Sequence, residues 1–549
     1  MNPGHRLKKG LFSLPAGRGA LTDGIRTALL AFSLVAALFL LQGKILINLA
    51  DEGFLWYGTL RTACGELPLR DFQSYYPLRT ACGELPLRDF QSYYPGRYFW
   101  GAGWFRILGD DGILALRLST AVFGACGLTF GLLVLRRVMR SYWTLGLSGV
   151  LLLLWFYPRY KVFEPAIAMA GVYFGVILLE RPSVARHFGA GVFVGVAAFF
   201  GRNHGAYGFF SFLALILLIR FRMGGMGLAR RLGAWGTGIF VGFSPMILMA
   251  VLVPGFLDAL VDSIMVIFRL GGTNLHLPVP WPWRPPPWAG GAISRLQAIS
   301  TGLFFLALPI FYGAGLLFLV LVRGSTLRER APLTACVLVG AVYMHYIFSR
   351  ADLDHLALGI HPMLMGILCL AFSLRAGSRQ KAATVMLVLL TICSLFSIGV
   401  ASPYYIKIAR VRGPLEKVDI RGDKIWMSPY SANLIRSVKR ISEEMAGEKQ
   451  KLLIAPHWTT FYPILGRISP LRETYFLFRE TEARQREMTR ELDEQGVDWV
   501  ILGDVALDGR DELRFRNTHC LIWRYILDNF EAVQVEGLPK NYQLLKRKG

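Results

Sequence analysis

Two adjacent carboxylates follow the first long apolar segment of the chain. Asp51 and Glu52 come directly after the run Ile45–Ala50. Carboxylates at a membrane boundary are costly to desolvate, and for that reason they usually mark a site. A positioned carboxylate can also act as a general base that takes the proton of an incoming hydroxyl. We therefore expect this pair to lie at the centre of a catalytic or binding site.

Three further segments combine acidic, basic or imidazole side chains at the ends of apolar runs. These segments are Arg159–Glu164, Arg202–Gly205 and Arg350–His355. One such cluster alone would most often be ordinary helix-end charge. The loop charges described below place all four clusters on one face of the membrane, which favours a shared polar cavity. Arg and Lys in such a cavity could hold a phosphate leaving group and stabilise its developing charge.

The composition is that of a membrane protein. Of the 549 residues, 54% are hydrophobic and only 18% are charged, and the mean hydropathy is +0.42. These values are too apolar for a soluble protein of this length. About eleven apolar runs between residues 27 and 401 approach the ~20 residues that a transmembrane helix needs. The sequence therefore predicts an α-helical polytopic membrane protein with about eleven transmembrane helices.

The net charge of +23 is concentrated in alternate loops. A basic tail, residues 1–26, precedes the first apolar run, and every second loop after it carries several Arg or Lys residues. The positive-inside rule places this tail and these loops in the cytoplasm, so that the mixed clusters face outward. Because membrane topology explains the basic residues, we do not expect nucleic acid as a partner.

The sequence divides into a transmembrane part, residues 27–401, and a soluble part, residues 402–549. Two long outer loops, residues 50–111 and 254–297, belong to the transmembrane part. The soluble part alternates amphipathic helices with buried strands, which predicts a small α/β domain on the outer side. The predicted elements are helices at Ser431–Gly447 and Thr481–Gly496, and strands at Lys451–Pro456, Val497–Leu502 and Tyr542–Lys546.

A tandem repeat interrupts the first outer loop. Residues 60–77 recur letter for letter as residues 78–95, and each copy carries one Arg-Asp-Phe carboxylate, Asp71 or Asp89. Removing either copy leaves the same loop, so one copy is surplus. Either aspartate could supply a supporting carboxylate to the site, and the sequence leaves that choice open.

In their order along the chain, these motifs resemble the GT-C glycosyltransferase superfamily. The resemblance is to the bacterial branch related to protein mannosyltransferases and the lipid A aminoarabinose transferase. The matching segments are Asp51–Gly53, Gly-Glu-Leu-Pro-Leu-Arg-Asp-Phe leading to Tyr-Tyr-Pro, Arg159–Lys161, Arg202–Tyr207, Ser349–Leu356, Phe461–Arg467 and Val497–Leu502. The resemblance covers nearly the whole chain, and it depends on the order and common sidedness of the motifs.

The resemblance implies transfer of a sugar, with inversion, from a polyprenyl-phosphate donor to a hydroxyl acceptor on the outer face. Asp51 would be the general base, and Glu52 would position the acceptor or support Asp51. Arg350 would be the first choice for binding the donor phosphate. The alternatives are Arg159, Lys161 and Arg202. The remaining side chains expected to bind substrate are Asp71, Asp89, Arg159, Lys161, Arg202, His204, Asp352 and His355.

The implied partners are the polyprenyl-phosphate sugar, membrane lipids, and a glycan, lipid or protein acceptor of the cell envelope. We expect a bacterial inner membrane location with a periplasmic C-terminal domain. The spacing of Cys and His indicates no zinc site, and a need for another divalent metal is left open. One alternative is a non-enzymatic flippase or transporter of lipid-linked sugars, which would place polar residues at mid-membrane. Another is a receptor-like scaffold, which would tolerate loss of the Asp51 charge.

Overall fold

The computed structural model describes most of the chain. The described ranges are residues 18–64, 94–258, 260–261, 264–265, 276–284, 291–322, 324–373, 377–445, 450–471 and 473–549. Asp71 and Asp89, the two candidate carboxylates of the tandem repeat, lie outside the described residues. The same holds for much of the predicted outer loop 254–297, whose last residues belong to a helix that begins at Ala292.

Eight helices in the described part of the chain are long and apolar enough to cross a membrane. They span Leu21–Gln42, Ile113–Leu135, Phe163–Glu180, Arg202–Met223, Leu228–Leu252, Ala292–Leu321, Ala331–Ser349 and Gln380–Ala401. A bent pair, Leu353–Gly359 and His361–Phe372, raises the number to nine if the pair forms one span. Tyr142–Leu154 and Val184–Phe200 are apolar but shorter. The protein is therefore a multi-pass membrane protein, and the count of eleven spans stays a prediction.

The segment predicted as the first outer loop contains two helices that the sequence did not predict. The first helix of the chain, α1, spans Arg18–Gln42, and α2 follows at Asp51–Ala63, beginning at the acidic pair. The next helix, α3, spans Pro95–Leu108 and starts with a proline, whose missing N–H is not needed there. The long helix Ile113–Leu135, α4, follows and packs against both α1 and α3.

The C-terminal region contains a two-stranded hairpin and a four-stranded sheet. The hairpin pairs β1 (Glu416–Ile420) with β2 (Asp423–Met427). The sheet has the order β3-β4-β6-β5, formed by β3 (Lys451–Ala455), β4 (Val497–Gly503), β5 (Phe530–Val533) and β6 (Tyr542–Arg547). Its β3 and β4 are parallel, and the other pairs are antiparallel.

Helices alternate with these strands along the chain, as expected of an α/β region. They span Pro403–Ile408, Pro429–Arg440, Phe461–Leu465, Glu482–Glu494, Phe515–Thr518 and Cys520–Asn529. The three predicted strands and two predicted helices are present within a few residues of their expected bounds, which confirms a soluble α/β part. The hairpin and β5 were not predicted, because each of these strands has only one or two buried residues and so lacks the apolar run of β3.

One apolar core joins α2 and α3 to the C-terminal region. Phe54 and Trp56 of α2 are buried in the same cluster as Ile425 of β2 and Ile501 of β4. The hydroxyl of Tyr57, also in α2, accepts a hydrogen bond of 3.0 Å from the backbone N–H of Ser469. Burial of these side chains couples the helix that begins at Asp51 to the soluble sheet.

Gly53 permits the close approach between α2 and the C-terminal region. A Cβ atom at this position would lie 1.8 Å from Oγ1 of Thr460 and 2.5 Å from its backbone N and Cα. Because backbone atoms cannot rotate away as a side chain can, only glycine fits here. The Thr460 hydroxyl itself donates a hydrogen bond of 2.7 Å to the carbonyl of Leu49.

We predict that Gly53→Ala weakens the contact between the two parts of the protein. The added methyl group should cost about 1–3 kcal/mol, as overpacking typically does. The measurement is the thermal unfolding midpoint in detergent, together with the rate at which protease releases the C-terminal region.

The matched control is Gly103→Ala in α3, where no atom lies within 4 Å of the added Cβ. That variant should keep or raise the midpoint, because alanine favours a helix over glycine by roughly 0.5–1 kcal/mol. Equal midpoints and equal protease release for the two variants would contradict the close approach at Gly53.

Candidate active site

Two arginines fix the connector, residues 43–50, which leads from α1 to α2. The carbonyl of Leu46 accepts hydrogen bonds from Arg117 at 2.6 Å and from Arg159 at 2.7 Å. Leu46 has a φ of 55°, a left-handed conformation that is costly for a residue with a Cβ atom. Further backbone carbonyls that accept hydrogen bonds from the two guanidinium groups are those of Gln42, Gly43 and Ile45. The guanidinium groups therefore hold the connector in a conformation that it would not favour alone.

The C-terminal region holds the connector from another side. The backbone N–H of Leu46 donates to the carbonyl of Trp426 in β2 at 2.7 Å, and the N–H of Trp426 donates to the carbonyl of Lys44 at 2.8 Å. The backbone N–H and the hydroxyl of Thr460 both donate to the carbonyl of Leu49. Both parts of the chain thus determine where Asp51 lies.

Glu52 is the buried counter-ion of the same two arginines. Its Oε1 lies 2.7 Å from Nε of Arg117 and 3.2 Å from Nε of Arg159, and only 2% of its side chain is exposed. Its Oε2 accepts a hydrogen bond of 3.2 Å from the backbone N–H of Asn48. Burial by itself raises the pKa of Glu52, but the charges of Arg117 and Arg159 lower it to about 2. Glu52 therefore helps to fix the connector that leads to Asp51.

Asp51 has a different set of partners, because adjacent residues of a helix with 3.6 residues per turn point in different directions. Its Oδ2 accepts a hydrogen bond of 2.8 Å from the hydroxyl of Tyr160 and lies 3.8 Å from Nζ of Lys161. The hydroxyl of Tyr475, in the C-terminal region, also donates to this carboxylate. A quarter of the Asp51 side chain is exposed (25%), so it can meet a substrate.

The carboxyl of Asp51 is ionised at neutral pH. Burial raises its pKa, but the Lys161 charge and the hydrogen bonds from Tyr160 and Tyr475 outweigh burial and lower the pKa below its ordinary value. Arg350 adds a further favourable electrostatic interaction. The first turn of α2 also favours a negative charge, because backbone N–H groups point toward it. The resulting carboxylate can accept a hydrogen bond from a substrate hydroxyl.

Arg350 connects the membrane part to the C-terminal region through two carboxylates. Its Nε lies 2.6 Å from Oδ2 of Asp352, and its two Nη atoms lie 2.7 and 2.8 Å from the oxygens of Asp508. The other oxygen of Asp352 interacts with the backbone N–H and the ring Nδ1 of His355, both at 2.8 Å. Burial raises the pKa of Asp352, but His355 and Arg350 lower it to about 2. The predicted residues of this loop therefore form one ionic cluster.

Arg202 and His204 belong to a second polar cluster, between α3 and the membrane helices. Nδ1 of His204 and the hydroxyl of Tyr343 share a hydrogen bond of 3.0 Å, and Arg202 lies over the ring of Tyr94. The neighbouring ion pair joins Nη1 of Arg97 to Oε1 of Glu164 at 2.9 Å, and the two side chains are 5% and 3% exposed. The predicted site residues thus divide between the surroundings of Asp51 and this second cluster.

Sequence reasoning missed four residues that contact or surround the acidic pair. Arg117 carried a usable signal, since an ionisable residue inside an apolar run such as Ile113–Leu135 is by default a candidate functional residue. Tyr160 stands between two residues that were predicted. Tyr475 and His457 gave no signal, because only the fold brings them to the membrane part.

No group of three His, Cys, Asp or Glu side chains within the described ranges is arranged to hold a metal ion.

Comparison of the sequence with family profiles and with curated proteins gives no match. Solved structures do match. The structure of ArnT from Cupriavidus metallidurans bound to undecaprenyl phosphate has a TM-score of 0.51 and 13% sequence identity, over 96% of this chain and 98% of that chain. The fold is that of the GT-C glycosyltransferases. This finding confirms the fold class that the sequence motifs indicate.

Two archaeal structures are also similar to the chain. The apo oligosaccharyltransferase of Archaeoglobus fulgidus is 12% identical, over 88% of this chain and 69% of that chain, with a TM-score of 0.49. AglB from the same organism, in complex with an inhibitory peptide and a dolichol-phosphate, is 11% identical, over 96% of this chain and 76% of that chain, with a TM-score of 0.48.

We predict that Glu52→Gln destabilises the protein strongly. The substitution leaves the buried Arg117 and the half-buried Arg159 without their shared counter-ion. Removal of one partner of a buried ion pair typically costs about 3–5 kcal/mol. In the wild type, the ionised Glu52 stabilises the fold fully at pH values above 4.5, the ordinary pKa of glutamate. This stabilisation is lost as the pH falls toward about 2, the pKa of Glu52 in the folded protein. Thermal unfolding in detergent at several pH values measures both effects.

The control is Glu512→Gln, which removes a carboxylate that is 63% exposed and pairs with Arg510 at the surface. Surface substitutions of this kind usually change stability by less than about 0.5 kcal/mol. If the two variants unfold at the same temperature, Glu52 does not hold the connector.

Proposed function

We propose that this protein is a glycosyltransferase of the bacterial inner membrane. It transfers a sugar from a polyprenyl-phosphate donor to a hydroxyl acceptor on the periplasmic face, with inversion at the anomeric carbon. The observation that carries the proposal is the partly exposed, ionised Asp51 at the start of α2, surrounded by cations and hydroxyls at the end of a membrane helix bundle. The GT-C fold supports the proposal.

Asp51 is the general base in this mechanism. Its carboxylate takes the proton of the acceptor hydroxyl while that oxygen forms a bond to the anomeric carbon. The bond from the anomeric carbon to the phosphate oxygen breaks, and the polyprenyl phosphate leaves with the electron pair. A positioned base typically contributes a factor of about 10²–10⁴ in rate. The hydrogen bond from Tyr160 and the fixed connector give Asp51 the single orientation that such catalysis requires.

Lys161 is our first choice for the cation that stabilises the leaving phosphate. Its ammonium group lies 3.8 Å from Asp51, and an ammonium has three donors to share among several anions. Arg350 was the first choice from the sequence, but its charge is already balanced by Asp352 and Asp508. Hydrogen bonds to Asp508 also raise the pKa of Arg350, so it is a permanent cation near Asp51 rather than an exchangeable proton carrier.

Arg159 and Glu52 act at a distance from the reacting atoms in this proposal. Arg159 donates to Glu52 and to connector carbonyls, and burial together with the Arg117 charge lowers its pKa to about 10. It still carries its charge at neutral pH. We therefore propose that Arg159, Glu52 and Arg117 position Asp51, and that the acceptor approaches from the side of Tyr160, Lys161 and Tyr475.

We predict that Asp51→Asn lowers transfer by about 10²–10⁴, because an amide cannot take the acceptor proton. The measurement is the transfer of label from tritiated polyprenyl-phosphate sugars in proteoliposomes, with a panel of pentose and hexose donors and an envelope extract as acceptor. Asp528→Asn, which changes an exposed aspartate of the C-terminal region, should keep the wild-type rate.

Full transfer by the Asn variant would remove Asp51 as the base. Transfer by the wild type from nucleotide sugars alone would exclude the proposed donor class. Movement of the labelled lipid across the bilayer without transfer, unchanged in Asp51→Asn, would instead support the flippase alternative.

We also predict that the transfer rate stays nearly constant as the pH falls to about 5. The pKa of Asp51 lies below its ordinary value of 3.8, so the carboxylate is still almost fully ionised at that pH. Lys161→Met removes the charge that lowers this pKa most, so the pH at which the rate falls should move upward. Lys540→Met, at an exposed position, should leave the profile unchanged. The midpoint of the acid limb is the quantity to compare, since Lys161→Met is also expected to lower the maximal rate.

A further inference from the structure

Two side chains of the C-terminal region, Tyr475 and His457, contribute to the surroundings of Asp51. The hydroxyl of Tyr475 donates a hydrogen bond to Asp51, and its ring packs 5.7 Å from the ring of Phe54 in α2. The imidazole of His457 lies against the same tyrosine, with ring centroids 5.6 Å apart and ring planes at 90°. His457 is also close enough to Asp51 for their charges to interact. The surroundings of the proposed base thus include residues from outside the membrane part.

His457 is buried and neutral. Only 9% of the residue is exposed, and burial lowers its pKa to about 4, despite opposing effects of a hydrogen bond with Phe476 and of the Asp51 charge. The bond with the Phe476 backbone favours the protonated ring, so the nitrogen that makes it is a donor. In a neutral imidazole the other ring nitrogen then carries a lone pair and accepts hydrogen bonds.

Within the described part of the chain, that other nitrogen has no partner. Nε2 of His457 is buried and makes no hydrogen bond with any residue that the structure describes. A buried polar atom that lacks a partner costs free energy, and in native proteins such an atom calls for an explanation. Because His457 lies beside the proposed base, a bound substrate is the simplest source of the missing donor.

The loop that carries His457 is held rigidly. The backbone N–H of Phe476 donates to the carbonyl of Pro456 at 3.1 Å. On the other side of His457, the ring of Trp458 stacks on Tyr542 of β6 with centroids 3.6 Å apart. Thr460 binds the connector, as described above. A rigid loop fixed to the connector is suited to present a hydrogen-bond acceptor at a constant position relative to Asp51.

We propose that the C-terminal region forms part of the acceptor subsite, in which Nε2 of His457 accepts a hydrogen bond from a hydroxyl or amide of the acceptor substrate. The group that it binds is adjacent to the hydroxyl that reacts at Asp51. The acceptor class is therefore one with at least two polar donors close together, as in a glycan or an amide-bearing lipid. Tyr475 is a positioning residue that holds Asp51 and packs against His457. This inference rests on the proposed function and deepens it.

The test compares His457→Asn with His457→Gln. The Asn side chain can replace the nitrogen that binds the Phe476 backbone but is too short to reach the Nε2 position, whereas Gln can place an oxygen there. With a tritiated polyprenyl-phosphate sugar as donor and a titrated envelope extract as acceptor, His457→Asn should raise the acceptor KM about tenfold, close to the loss of one hydrogen bond. His457→Gln should stay near the wild-type value, and the donor KM should not change in either variant.

Two control variants separate this effect from damage to the fold. His519→Asn removes another buried imidazole of the C-terminal region, one that shares a hydrogen bond with the hydroxyl of Thr518. Tyr525→Phe removes a hydroxyl that bonds to Asp493, as a match for Tyr475→Phe. Both controls should keep the wild-type acceptor KM, whereas Tyr475→Phe should lower kcat. Thermal unfolding establishes that each variant is folded.

A folded His457→Asn variant with the wild-type acceptor KM would overturn the inference, as would equal KM increases in the Asn and Gln variants. If neither His457 variant folds, an unchanged kcat in Tyr475→Phe would overturn it. These outcomes are distinct from failure of the proposed function. That failure would appear as no transfer from any polyprenyl-phosphate sugar by the wild type, or as full transfer by Asp51→Asn.

Discussion

The pairing of Glu52 with Arg117 and Arg159 is the interaction on which the site depends. Isolated buried charges are unfavourable, and here each one has a partner at hydrogen-bond distance. The same guanidinium groups bind the carbonyls of the connector, including that of Leu46 in its left-handed conformation. Since α2 follows the connector directly, this ionic group sets the start of α2 and thereby the position of Asp51.

The two residues of the acidic pair therefore have different roles. Glu52 points into the protein and is fully paired, so its charge serves structure. Asp51 is partly exposed and is bound by hydroxyls and an ammonium group from different elements. The division follows from helical geometry, which directs consecutive side chains to different faces. It also explains why two carboxylates stand side by side at a membrane boundary, where each alone would be costly.

The sequence predicted the class of fold, because that class depends on patterns that extend over most of the chain. Apolar run length and loop charge indicated a multi-pass protein, and the motif order indicated the GT-C fold. The partners of Asp51 were less accessible. Lys161 was named, but Tyr475 is 424 positions away in numbering and only the shared core brings it to α2. The structural role of Glu52 also depends on Arg117, which was not among the residues predicted from the sequence.

The pairing between the connector and β2 has a consequence for the C-terminal region as a separate molecule. Through Trp426, the connector adds backbone hydrogen bonds to the open side of a two-stranded ribbon. Without the membrane part, that side would be an exposed edge strand next to an apolar core that lacks Phe54 and Trp56 of α2. Such edges promote association between chains. The region that looks soluble by composition therefore depends on the membrane part to cover this edge.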